Sequence, residues 1–203
     1  AATTQVSNNI KASIDGATVI SITGDVDVLS GFKPTGSDFS FAELGLTVDL
    51  PDDTDLGSQI INVAVGGSGA GNSSIGGAIN LNWLKNSVEA SIKGGADVQA
   101  ANDVSVVAKD NASMITVGVG GSGAGAAAAG AGVAYNYIGG DPGDPSRDIP
   151  NNPSSSDAGY VLSFISNSTV TAQNGSINVL SDAHAQIINI TIEDIHGSFC
   201  KRC

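Results

Sequence analysis

The residues able to do chemistry are few, and most lie away from the regular part of the chain. Cys200 and Cys203 close it, separated by Lys201 and Arg202. Zinc would need a second pair of ligands, and of the two His only His196 is near, so a local or intersubunit disulfide is the expected chemistry in an oxidising compartment. The segment also departs from the pattern before it, as an appended tail would. Carboxylates gather in two places, Asp52, Asp53 and Asp55, then Asp141, Asp144 and Asp148. Flexible oxygen donors of this kind suit calcium, the one cofactor these residues would accept; solvated loop charge is the plainer reading. Gly118-Val-Gly-Gly-Ser-Gly123 fits the dinucleotide pattern G-x-G-x-x-G with Asp141 beyond, but Gly125, Gly130 and Gly132 break the helix that pattern requires. The same block opens like a calcium nonapeptide, yet Gly71 and Gly125 occupy the position of its Asp. His184 and His196 read as surface histidines. Arg147, Arg202 and the scattered Lys make no acid/base cluster, so no catalytic residue is assigned and an enzyme is not expected. An ice-binding rank of Thr fails as well, because Thr18 and Thr23 align with Ala96 and Ala101.

The elements that must position these residues are built from small side chains. The 203 residues include 27 Gly, with 41% hydrophobic, 14% charged and only 4% aromatic residues. Such a chain can bury a core, but one made of narrow layers. A net charge of −12 with singly scattered basic residues argues against nucleic acid and anionic membrane surfaces as partners. The chain opens at Ala1 without a leader, which fits either a mature N-terminus or the edge of an excised piece, and both fit export. Met114 to Tyr137 is uncharged and long enough to span a bilayer, but it is Gly-rich and its first half alternates like a strand, so membrane insertion is not expected.

The dominant signal is repetition. Ile61-Asn-Val-Ala-Val-Gly-Gly-Ser-Gly-Ala-Gly71 recurs almost unchanged 54 residues on, as Ile115-Thr-Val-Gly-Val-Gly-Gly-Ser-Gly-Ala-Gly125. Ser13 to Val28 matches Ser91 to Val106 at 78, which implies an insertion of 24 residues between Ser30 and Ser58. A third copy follows: Asn80-Leu-Asn-Trp-Leu84 matches Ala134-Tyr-Asn-Tyr-Ile138 at 54, Ser91-Ile92 matches Ser163-Phe164 at 72, and Met114 matches Ile187 at 73. The insertions occupy about 31–57 and 141–157, and the copy ends in a tail, 193–203.

Local alternation of apolar and polar residues, as in Val88-Glu-Ala-Ser-Ile92 and Val104-Ser-Val106, predicts strands bounded by Gly and Asn turns, with no helical period anywhere. About six short strands per 54 residues, in three coils of about 18, is the expected arrangement. The fold class is therefore all-β, a single parallel β-helix (β-solenoid) domain over 1–203 with two inserted surface loops. Ile61, Val63 and Val65 are expected to face inward in the same ranks as Ile115, Val117 and Val119, and as Ile188, Ile190 and Ile192. The Gly rows mark where the walls approach closely.

The alternation of Gly-Gly-Ser-Gly-Ala-Gly blocks with Asn86-Ser-Val-Glu-Ala-Ser-Ile92 and Asp103-Val-Ser-Val-Val-Ala108 resembles the repeat regions of large secreted bacterial adhesins, the filamentous-haemagglutinin and leukotoxin-like filamentous type. The resemblance covers most of the chain outside the two loops and the tail. It implies an extracellular, right-handed β-helix at the bacterial cell surface, used as a stalk, adhesin or matrix fibre, and no catalytic residue. Copies of the chain are the expected partners, joined head to tail through uncapped ends; cell-surface or matrix glycans and proteins are further expected partners. A carbohydrate-active β-helix enzyme and a glycan-binding module are the alternatives.

Overall fold

The computed structural model describes residues 1–31, 58–139 and 159–197. These residues are 82% strand, with no helix among them, in parallel sheets that do not close into a barrel. The chain passes through three sheets, A, B and C, in the same order three times. The first pass is β1 (Ala2–Asp15) in A, β2 (Thr18–Ser21) in B, then β3 (Val26–Gly31) and β4 (Ser58–Ala70) in C. The second is uninterrupted: β5 (Ser73–Lys93), β6 (Asp97–Ala100) and β7 (Val104–Ala124). The third is β8 (Ala127–Ile138) and β9 (Tyr160–Ile165) in A, β10 (Thr169–Ala172) in B and β11 (Ile177–Gly197) in C.

Register confirms the repeat and corrects its meaning. Ile61 pairs with Ile115, Ser73 with Ala127 and Asn82 with Asn136, so 54 residues make one complete pass. Each pass holds long strands on two sides and a short one between them, 21, 4 and 21 residues in the second pass, rather than six short strands in three coils. The Gly-Gly-Ser blocks look like strand ends in a sequence, yet here they lie inside β4 and β7. Two alignments shift by one residue: Ser91 pairs with Phe164 and Thr18 with Asp97. The corner after β5 absorbs the difference with Gly94 and Gly95, both at positive φ, where the first pass uses Gly16 and the third Asn167. The Thr rank fails in the corrected register too, since Asp97 stands between Thr18 and Thr169.

Sheets A and C face each other. Their facing residues are the even-numbered ones of β5 and β7, as cross-sheet hydrogen bonds require: Asn82 Nδ2 donates to Thr116 Oγ1 (3.0 Å), and Asn80 Nδ2 to the Val117 carbonyl (3.0 Å). The interior is layered. At one end glycines let the backbones meet: a Cβ on Gly76 would strike the Gly121 carbonyl, and one on Gly120 would lie 2.6 Å from that of Ala131. An Asn/Thr layer follows, then an apolar cluster of Ile60, Leu84, Ala112 and Met114. Next comes a second polar level, where Asn86 Nδ2 donates to Asp110 Oδ1 at 2.8 Å. The largest apolar cluster, including Val26, Val28, Val88, Ile92, Val98, Val104 and Val106, closes the far end against sheet B.

This layering overturns the expected orientation of one rank. Ile61, Val63 and Val65 do stack on Ile115, Val117 and Val119, and on Ile188, Ile190 and Ile192, as register. Those of them up to Ile190 lie on the face of sheet C turned away from sheet A, because Ile60, Asn62 and Ala64 take the inward face. Ile115 and Val117 are fully buried in a cluster with Ile61, Val63, Ile188 and Ile190, whereas Val65 is 75% exposed. The physical reason is the opposing wall: Asn82 needs partners, and the narrow Gly end admits no branched side chain.

The described strands break at the same level on both long sides. β3 ends with Gly31 opposite Lys109 and β4 begins with Ser58 opposite Ala112, so the first break lies beside Asp110 and Asn111. Ile138 lies opposite Leu84 and Tyr160 opposite Ser87, so the second lies beside Lys85 and Asn86.

Candidate functional site

Three features carry polar or exposed chemistry. The first is an internal ladder. Thr4, Asn82 and Asn136 form one rank of sheet A, and Asn62, Thr116 and Asn189 one rank of sheet C. Asn62 Nδ2 donates to Thr4 Oγ1 (3.0 Å) and Asn82 Oδ1 (2.5 Å). Asn82 Nδ2 donates onward to Asn136 Oδ1 at 2.7 Å, and Asn136 Nδ2 to Asn189 Oδ1. Amide carbonyl meets amide N–H from pass to pass, so buried polar groups satisfy one another along the stacking direction.

The second is the outer face of sheet A. Trp83, Tyr135 and Tyr137 point outward there, since their even-numbered neighbours face sheet C, and Tyr160 and Phe164 share that face through their pairing with Ser87 and Ser91. Every aromatic residue among those described thus stands on one surface. Beside them Glu89 is nearly buried between Lys11 (3.2 Å) and Lys93 (3.4 Å). Burial raises its carboxyl, and the two ammonium groups outweigh that, leaving it below the usual carboxylate range. Lys11 is raised by Glu89 and by its bond to the Tyr160 hydroxyl. Asp110, between the sheets, goes the other way: burial lifts it above the usual range against the bond from Asn86.

The third is the free edge of the third pass. Ile177, Val179 and Ile187 occupy the ranks of Val104, Val106 and Met114. They are 46%, 45% and 45% exposed where those are fully buried.

The residues expected to do chemistry are placed as follows. The calcium candidates Asp52, Asp53, Asp55, Asp141, Asp144 and Asp148, and the disulfide candidates Cys200 and Cys203, lie outside the described residues, as do Arg147 and Arg202. Among the described residues no three His, Cys, Asp or Glu come together to hold a metal. Gly118 to Gly123 is part of β7 with no helix after it. His184 and His196 fall on the same strand, β11, and the exposed His184 contacts Asp182 at 3.0 Å. Among the described residues no helix is long and apolar enough to cross a membrane. Neither the ladder nor the aromatic face was picked out as a site from the sequence, although the 54-residue match of Asn80-Leu-Asn-Trp-Leu84 to Ala134-Tyr-Asn-Tyr-Ile138 contains both. Compared with known protein families, curated proteins and solved structures, the chain matches none.

Proposed function

We propose that the chain is a β-solenoid module serving as a structural or adhesive element outside the cell, in the manner of the filamentous adhesin repeats it resembles. One observation carries this reading: the same interior ranks recur in register over three passes, and the last pass leaves them uncovered. Such a body resists bending and can be lengthened by adding passes, which is what a stalk requires. Long sides of 21 residues make it a flattened prism about 70 Å along the strands. Small-angle scattering of dilute protein tests the shape: a prism of that long dimension is expected, and a sphere of ordinary globular radius would overturn the reading.

A second reading, glycan binding, is favoured by the aromatic face. Flat sheets bearing Trp and Tyr offer ring faces to the C–H faces of sugars and hydroxyls to their oxygens. Retardation of the chain in polysaccharide-containing gels, lost in Tyr135→Ala, would support it; equal mobility with every polysaccharide would reject it. Among the described residues the buried carboxylates, Glu89 and Asp110, lie on opposite sides of sheet A and so form no acid/base pair of the kind a carbohydrate-active enzyme uses.

A further inference from the structure

We infer that the outer face of sheet A docks the same face of a second copy of this chain, through a two-fold axis that sets the strands of the two copies antiparallel. The contact is lateral. Its side chains point away from sheet C, across the stacking direction, so the face is present however many passes the stack holds.

The face is exposed and uncharged. Because Asn80 and Asn82 reach toward sheet C, the odd-numbered residues of β5 from Ser73 to Trp83 point outward, and the odd-numbered residues of β8 from Ala127 to Tyr137 lie beside them in register. Ile75 is 83% exposed and Val133 54%, and only Leu81, Trp83 and Tyr137, together at one end, are half-buried. None of these outward positions carries a charge, on a chain of net charge −12. Two copies can therefore meet here without setting carboxylate against carboxylate, and the apolar surface they cover drives the contact.

Side-chain size fixes the orientation. One end of the face holds Ser73, Gly77, Ala127, Ala129 and Ala131, and the other Ile79, Leu81, Trp83, Val133, Tyr135 and Tyr137. Sheets that pack face to face keep a nearly constant separation of about 10 Å and fill it densely. With strands parallel, two copies would crowd large on large at one end and gape at the other. Turned about an axis across the strands, between the ranks of Gly77 and Ile79, they set small on large: Gly77 meets Ile79 of the second copy, Ser73 meets Trp83, and Ala131, Ala129 and Ala127 meet Val133, Tyr135 and Tyr137. Ile75, opposite Leu81, is the exception. The same turn keeps the charged stretch of sheet A out of the overlap, since Lys85, Glu89 and Lys93 of each copy lie beyond Ser73 of the other.

The area sets the strength. From Ser73 to Trp83 along two strands the overlap is about 33 Å by about 15 Å, or about 1,000 Å² over both copies, the lower bound of a specific interface. The dimer of this chain is accordingly weak, and it tightens with ionic strength as the repulsion between the two copies is screened. A two-fold contact closes with two copies.

The test uses the chain with Cys200→Ser and Cys203→Ser as parent, followed by sedimentation equilibrium over concentration and salt. The parent is expected to dimerise. Ala131→Glu and Val133→Lys each place an unpaired charge in the contact and are expected to weaken the dimer at least about tenfold, while their mixture, in which Glu faces Lys, returns to within about threefold of the parent. Both positions are exposed, so each variant should unfold thermally as the dilute parent does. A mixture no better than either variant alone would overturn the antiparallel alignment, and association unchanged by both variants would overturn the face. A parent that stays monomeric at every concentration and salt, still scattering as a flattened prism, would overturn the dimer while leaving the solenoid reading in place; retardation of that monomer by a polysaccharide would assign Tyr135 and its neighbours to glycan instead.

Discussion

Asn82 is fully buried and has three partners in two sheets. Its amide donates to Thr116 and Asn136 and accepts from Asn62, so Asn82→Leu, though similar in volume, orphans groups on all three passes. Urea unfolding should show a loss of about 1–3 kcal/mol for each buried group left without a partner, far beyond an ordinary surface change. The two buried carboxylates have opposite pH signatures. Asp110 holds its proton more tightly folded than unfolded, so the wild type loses stability as pH rises from the ordinary Asp range through the raised folded value. Asp110→Asn lacks that loss; its melting temperature should exceed the wild type's by about 2–4 °C at neutral pH, with the difference vanishing in acid. Glu89 is depressed, so its contribution is present above the ordinary Glu range and disappears as pH falls through the folded value. Glu89→Gln should therefore be the less stable protein at neutral pH and converge with the wild type in acid.

At the scale of the element, the Gly end decides how near the long sheets come. A methyl on Gly76 would meet the backbone of Gly121 and Ser68, which cannot yield like a side chain, whereas one on Gly123 meets nothing within 4 Å. Gly76→Ala is expected to cost about 1–3 kcal/mol by overpacking, and Gly123→Ala to change stability by less than about 0.5 kcal/mol, both read from denaturant midpoints. That contrast shows what the sequence made legible. The paired Gly-Gly-Ser-Gly-Ala-Gly blocks announced a close approach, and Val104-Ser-Val106 announced a strand with one buried face. Parity was not legible in Ile115-Thr-Val-Gly-Val119. Its odd positions are branched and apolar, its even ones small or polar, and a period of two gives no reason to prefer the polar set inside. Only the opposite wall, with Asn80 and Asn82, settles the choice, and that information is nonlocal. Strand length was hidden for a related reason: Gly ends a strand in most surroundings, but not where a second backbone lies against it.

At the scale of the molecule, the middle pass is continuous while its neighbours are each interrupted once, on opposite walls. The stacking period and the positions of both interruptions could be read from the matches at 54, 78 and 73, because insertions leave register intact on either side. The aromatic face could not, since its five residues are assembled from three strands, β5, β8 and β9. Ile138 and Tyr160 flank only two positions of β5, so replacing residues 139–159 by two residues should rejoin the strand opposite Lys85 and Asn86. Far-ultraviolet circular dichroism is expected to keep its β signal, and a collapse of that signal would show that the segment is required for folding.

The level of Asn86 and Asp110 has a kinetic consequence. Both interruptions fall there, and the apolar cluster around Leu84 and Met114 is separate from the larger one around Val88 and Val106. A polar seam with fewer flanking strands is where opening costs least, so the body should breathe as two halves that exchange their amide hydrogens at different rates. Protection factors measured residue by residue along β5 and β7 would then step at this seam, marking two cooperative units within a chain whose strands run straight through both.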